Sequence, residues 1–141
     1  MVPLYAQDHD YSQFKVLAVD DIPINLLLVQ KMLARFNFKL STAANGQLAL
    51  DAVAKDKPDL ILLDLMMPIV DGFEVIRRLR ENPETADIQI VILSALNSNE
   101  DIVKGFSLGA NDFIMKPIIM ERLLTCVATQ LQLVEARSKG K

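Results

Sequence analysis

From Phe14 onward, short apolar runs alternate with stretches whose apolar residues recur every three or four positions. The runs are Val16-Leu17-Ala18-Val19, Phe38 to Ala43, Leu60-Ile61-Leu62-Leu63, Ile88 to Leu93 and Phe113-Ile114-Met115. Three of them are apolar nearly throughout, as strands buried on both faces of a parallel sheet must be. Between them, helical spacing predicts helices over Asn25 to Phe36, Gly46 to Lys55, Phe73 to Arg80 and Asp101 to Leu108, and a longer one from about Ile119 to Ala136. Breakers fall at the joints: Pro23 opens the first helix, Pro58 precedes the third strand, Pro83 follows the third helix and Gly109 closes the fourth. Strands alternating with helices over short connections imply right-handed crossovers, hence an α/β fold with helices on both faces of one sheet.

The ends of the runs carry the chemistry. The first ends in Asp20-Asp21, the third in Asp64, the fourth in Ser94 and the fifth in Lys116, whereas the second ends in Thr42-Ala43-Ala44. Parallel strands gather such ends on one edge. In a doubly wound, five-stranded parallel sheet of order 2-1-3-4-5, the flavodoxin-like (αβ)5 arrangement, the chain reverses between the first and third strands and a crevice opens there. That order puts Asp20, Asp21 and Asp64 together at the crevice and the second strand outside. Each residue alone reads as ordinary turn punctuation; their meeting on one edge does not. Three neighbouring carboxylates repel by roughly 3 kcal/mol per pair at an effective dielectric of about 20, which calls for a cation. Oxygen donors without His or Cys nearby select Mg²⁺ or Mn²⁺ over Zn²⁺. Such a cation accepts phosphate oxygens, so the crevice reads as a phosphoryl site. A carboxylate there can be the nucleophile, Lys116 a counter-charge and Ser94 a hydroxyl donor.

Composition narrows the reading. With 141 residues the chain has the size of one domain, and a net charge of -3 with a pI near 5.1 gives no basic face for nucleic-acid phosphates. No direct nucleic-acid binding is therefore expected. The single cysteine, Cys126, lies in an apolar helical pattern, reads as a small buried hydrophobe and fits a reducing compartment. The N-terminus lacks a signal-like apolar segment, and no apolar run approaches the ~18 residues of a membrane span, so a cytoplasmic chain without membrane insertion is expected. The domain is expected over residues 14–136, with a flexible leader over 1–13, in which His9 is solvated, and a short basic tail over 137–141.

The segments Val19-Asp20-Asp21, Leu62-Leu63-Asp64-Leu65-Met66-Met67-Pro68 with Asp71-Gly72, Ser94-Ala95 and Lys116-Pro117 together resemble the receiver domain of two-component response regulators. The resemblance runs from Phe14 to about Val134. It implies that Asp64 accepts a phosphoryl group from a sensor histidine kinase or phosphotransfer protein. It further implies that Asp20, Asp21, Asp64 and the backbone carbonyl of Met66 hold Mg²⁺, and that Ser94, Ala95 and Lys116 contact the phosphoryl group. Ser94 and Phe113 take the family's switch positions, and the Lys116-Pro117 peptide is expected to be cis. Such a chain is modified on its own Asp and slowly dephosphorylates, without turning over an external substrate. Two positions depart from common forms: Phe113 lacks the hydroxyl of the frequent tyrosine, and Ile118 stands where a phenylalanine commonly follows the Lys-Pro pair.

Two other readings use the same residues. A receiver fold can serve as an interaction module without phosphorylation. A phosphohydrolase of the haloacid dehalogenase type also uses a strand-end Asp, Mg²⁺ and a Lys, but it carries a second Asp two residues after the nucleophile, where this chain has Met66. In the last helix Met120, Leu124, Val127, Leu131 and Val134 repeat at heptad spacing, and Met120, Leu124 and Val127 are expected to form its core face. The portion from Gln130 to Glu135 is expected to run past the sheet and support a phosphorylation-dependent homodimer through the fourth and fifth helices.

Overall fold

The computed structural model describes residues 2–139. Strands β1 (Lys15–Val19), β2 (Lys39–Ala43), β3 (Leu60–Leu63), β4 (Gln89–Ser94) and β5 (Asp112–Met115) form one parallel sheet in the order β2-β1-β3-β4-β5. Helices α1 (Pro23–Met32), α2 (Gly46–Lys55), α3 (Gly72–Glu81), α4 (Asn99–Leu108) and α5 (Met120–Lys139) join and follow them. This is the expected doubly wound arrangement. β3 and β4 are buried at every position, which explains their unbroken apolar sequence.

Alternate residues of the strands feed two cores. Val16, Ala18, Leu60, Leu62, Val91 and Leu93 face α1 and α5, while Leu17, Val19, Ile61, Leu63, Ile90 and Ile92 face α2, α3 and α4. Side chains that accept from backbone N–H groups start three helices: Asn45 from Leu48 at 2.8 Å, Asp71 from Glu74 at 2.9 Å and Ser98 from Asp101 at 3.1 Å. Gly109 ends α4 in a left-handed conformation, φ 114°.

Three expectations change at the pole where the strands begin. α1 stops at Met32 rather than Phe36, because the chain turns at the buried Leu33 and stacks Phe36 on Phe38 with ring centroids 5.3 Å apart. The leader expected over residues 1–13 is not free of the domain along its length. Leu4–Ala6 forms a turn of 3₁₀ helix, Leu4 and Tyr5 pack on the α1/α5 core, and Tyr11 is 3% exposed. Tyr11 accepts a hydrogen bond from Gln132 at 3.0 Å, and His9, exposed as expected, lies 2.9 Å from Glu135 at the surface. In the last helix Leu124 and Val127 are fully buried, as a core face requires, whereas Met120, expected beside them, is half exposed. Leu131 and Val134, expected beyond the sheet, are covered from within: Leu131 is fully buried and Val134 packs against the same core, because the leader extends that core past the sheet edge. Gln130, also expected beyond the sheet, is buried and hydrogen-bonds Gln89 of β4. Arg137, Ser138 and Lys139 of the expected basic tail continue α5, while Gly140 and Lys141 lie outside the described residues.

Candidate functional site

The register of the sheet builds the site. Val19 lies level with Ala43 on one side and Leu63 on the other, so the residues following β1 and β3 emerge side by side. The Asp64 N–H donates to the Val19 carbonyl at 3.0 Å and the Asp20 N–H to that of Ala43 at 3.2 Å, which continues the ladder one step beyond the strands. Across the sheet, the Lys116 N–H donates to the Ser94 carbonyl at 2.9 Å. Gly72, at the start of α3, permits the return of the loop: a Cβ there would stand 2.4 Å from the Asp64 carbonyl oxygen.

Each of Asp20, Asp21 and Asp64 offers a carboxylate oxygen to a cluster within 4.8 Å. Asp20 and Asp64 are buried and Asp21 is half-buried. The Lys116 Nζ donates to Asp20 at 2.9 Å and lies 3.8 Å from Asp64. Asp20 also accepts from the Ile22 N–H at 2.9 Å. Burial pushes the Asp64 carboxyl above the usual carboxylate range; Lys116 opposes the shift, Asp20 adds to it, the Met66 N–H opposes it and Asp21 adds the remainder. One cation thus faces three carboxylates. The Oδ1 atom of Asp21 is buried and has no hydrogen-bond partner. An orphaned oxygen beside two clustered carboxylates is the donor set a hard divalent cation satisfies, so the residues present fit Mg²⁺.

The other expected residues surround this cluster. Ser94 is wholly buried and its hydroxyl accepts from the Leu96 N–H at 3.1 Å, leaving its hydrogen available to donate. Ala95 is exposed, the Met66 side chain points to solvent, and the Lys116-Pro117 peptide is cis. Phe113 is buried, its ring against Gly105 of α4 and Ile92 of β4. Two features near the site were not among the sequence expectations. A mainly apolar cavity of about 510 Å³ opens beside Asp20 and Lys116, walled by α1 and Ile118. Ile69, five residues after Asp64, is fully exposed at a positive φ of 68°. The small Ile118 is a sequence hint to the cavity, whereas nothing in the chain announces the conformation of Ile69.

Comparison with known proteins agrees with this geometry. A family model described as the response regulator receiver domain matches residues 16–128. The chain is 44% identical over 104 residues to response regulator PleD of Caulobacter vibrioides, covering 74% of this chain and 23% of that protein. It is 38% identical over 118 residues to the DNA-binding dual master transcriptional regulator RpaA of a Synechocystis species, covering 84% of this chain and 49% of that one. The chain therefore spans half or less of the length of these relatives. Among solved structures, the chemotaxis protein CheY4 of Vibrio cholerae superposes with a TM-score of 0.77 at 32% identity, over 82% of this chain and 97% of that one.

Proposed function

The chain belongs to the response regulator receiver domain family, and from that premise we propose that Asp64 is its phosphoacceptor, charged by a phosphohistidine protein and assisted by Mg²⁺. The observation that carries the reading is the cluster itself: Asp20, Asp21 and Asp64 within 4.8 Å, with Lys116 as the cation against them. Receivers act by phosphorylation-switched signalling, and this chain presents the groups such a switch needs.

A carboxylate oxygen of Asp64 attacks phosphorus, the P–N bond to the donor imidazole breaks, and its electron pair stays on the ring nitrogen, which is then protonated from solvent. Asp20, Asp21, Asp64 and the Met66 carbonyl would hold Mg²⁺, which would supply charge neutralisation for the transferring oxygens. Lys116, released from Asp20, pairs with a phosphoryl oxygen. Ser94 donates its hydroxyl hydrogen to another, and the Ala95 N–H lies beside it on the same loop. Phe113, packed between β4 and α4, passes the displacement of Ser94 to the α4 surface. There Val103, Phe106, Met115, Ile119 and Met120 are exposed and form the apolar face through which phosphorylation-dependent pairing of α4 and α5 proceeds.

Incubation with acetyl phosphate and Mg²⁺ followed by intact-mass measurement tests the assignment. A gain of one phosphoryl group that Asp64→Asn abolishes is the expected result. Undiminished labelling of that variant overturns it, and no labelling of the native chain favours an interaction module that works without phosphorylation. The output of the longer relatives belongs to them. No helix among the described residues is long and apolar enough to cross a membrane.

A further inference from the structure

The loop from Asp64 to Gly72 holds a strained residue where a donor must approach. Among the described residues Ile69 is the one non-glycine at positive φ, 68°, and it is also fully exposed, at 103%. The Val70 N–H donates to the Pro68 carbonyl at 2.8 Å, closing a tight turn with Ile69 at its centre. Glycine adopts that conformation freely; a β-branched side chain does so against steric resistance.

The surroundings fix the turn. Val70 is buried in the α2/α3 core, and the first turn of α2 presses on it so closely that a Cβ on Gly46 would lie 2.2 Å from the Val70 carbonyl oxygen. Asp71 caps α3, and the Gly72 N–H donates to the Leu65 carbonyl at 3.0 Å. A strained backbone persists where its neighbours over-determine it. The result is a branched aliphatic group displayed rigidly in water, so little entropy is lost when it is captured.

Its setting identifies the captor. Asp64 is 5% exposed and sunk between loops, so a protein bringing a phosphohistidine to it must cover the rim. Exposed Ile22, Met66 and Ile69 lie on the loops that follow β1 and β3 and carry the acidic cluster, apolar groups beside a charged centre. The chain's single histidine, His9, lies at the opposite pole, beside Glu135 of α5.

We propose that Ile69 is a specificity-determining anchor, inserted into an apolar pocket beside the phosphohistidine of the donor protein. The proposal rests on Asp64 as acceptor and adds a residue that takes no part in the chemistry. A small phosphodonor has no surface to meet Ile69, and this separates the two ideas.

The test compares acetyl phosphate with a phosphorylated histidine phosphotransfer domain that labels the native chain. Ile69→Asp and Ile69→Gly should lower kcat/KM for the protein donor by about tenfold or more, the loss expected of a truncated anchor. The loss should sit mainly in KM. Labelling by acetyl phosphate should stay within about twofold, Ile69→Val should restore the protein-donor rate, and Ile69→Gly should melt no lower than the native chain because it relieves the turn. Transfer from the protein donor at the native rate in Ile69→Gly and Ile69→Asp overturns the anchor, as does an equal loss with acetyl phosphate. Failure of acetyl phosphate to label the native chain overturns the acceptor reading instead, and the anchor with it.

Discussion

At the scale of single residues, the electrostatics of Asp64 make a stability prediction separate from its reactivity. Burial and its acidic neighbours raise its carboxyl above the ordinary 3.8, so the folded chain holds that proton more tightly than the unfolded one. Folding is therefore penalised as pH rises from about 4 through the raised native value, and the penalty grows until that value is passed. Asp64→Asn removes it. In urea titrations without divalent cation, the variant should exceed the native chain in stability at pH 7, and the gap should close toward pH 4. Thermal midpoints should follow, at about 2–4 °C per kcal/mol for a chain of this size. Added Mg²⁺ should narrow the gap at pH 7 by stabilising the native site. Cys126 is the contrasting case: burial, with Asp112 beside it, pushes its thiol up to about 12, which fits the inert hydrophobe that its sequence context suggested.

Among the elements, α5 shows best where periodicity informs and where it misleads. The heptad spacing marked Leu124 and Val127 as core, which they are, but Leu131, expected past the sheet and toward a partner, is buried in the same stripe against the sheet and the leader. Leu131→Ser should therefore destabilise the monomer by about 2–5 kcal/mol, through the cavity and the buried hydroxyl. Leu133→Ser, at a half-exposed position, should change stability by less than about 0.5 kcal/mol. Urea denaturation of the two variants separates these cases; equal effects would mean that α5 is packed the other way round. The strap of residues 3–14 was not legible because its ties join residues far apart in sequence. Tyr11 accepts from Gln132 and its N–H donates to Asn37, and its ring meets Phe36 edge-on at 5.3 Å. No local pattern encodes such contacts.

For the whole molecule, the question is how a charge placed at one edge reaches a face that is not beside it. A buried path runs from Ser94 through Ile92 and Phe113 to Gly105 in the middle of α4. Beryllofluoride with Mg²⁺ should therefore perturb the NMR signals of Phe113 and Phe106 as well as those beside Asp64. Changes confined to the Asp64 loop would show that this path is not used. If α4 and α5 pair on activation, sedimentation should show association only in the beryllofluoride form, and Phe106→Ser should weaken it without unfolding the chain. A monomer in both forms removes the pairing and leaves the acceptor assignment standing.

The sequence by itself determined the strand order, the two-sided burial of β3 and β4, and the edge on which Asp20, Asp21, Asp64, Ser94 and Lys116 meet. It could do so because the burial follows from short-range periodicity, the helices on both faces from the right-handed crossover rule, and the shared edge from strand direction, since in a parallel sheet every strand end lies on the same side. Only the tertiary structure decided which carboxylate takes the lysine, that Asp21 keeps an unpartnered oxygen, that the leader closes the far pole, and that Ile69 is forced into a left-handed turn. Those outcomes depend on close approaches between segments remote in the chain, such as Gly46 against Val70, and on a local preference of isoleucine that the packing around the loop overrides.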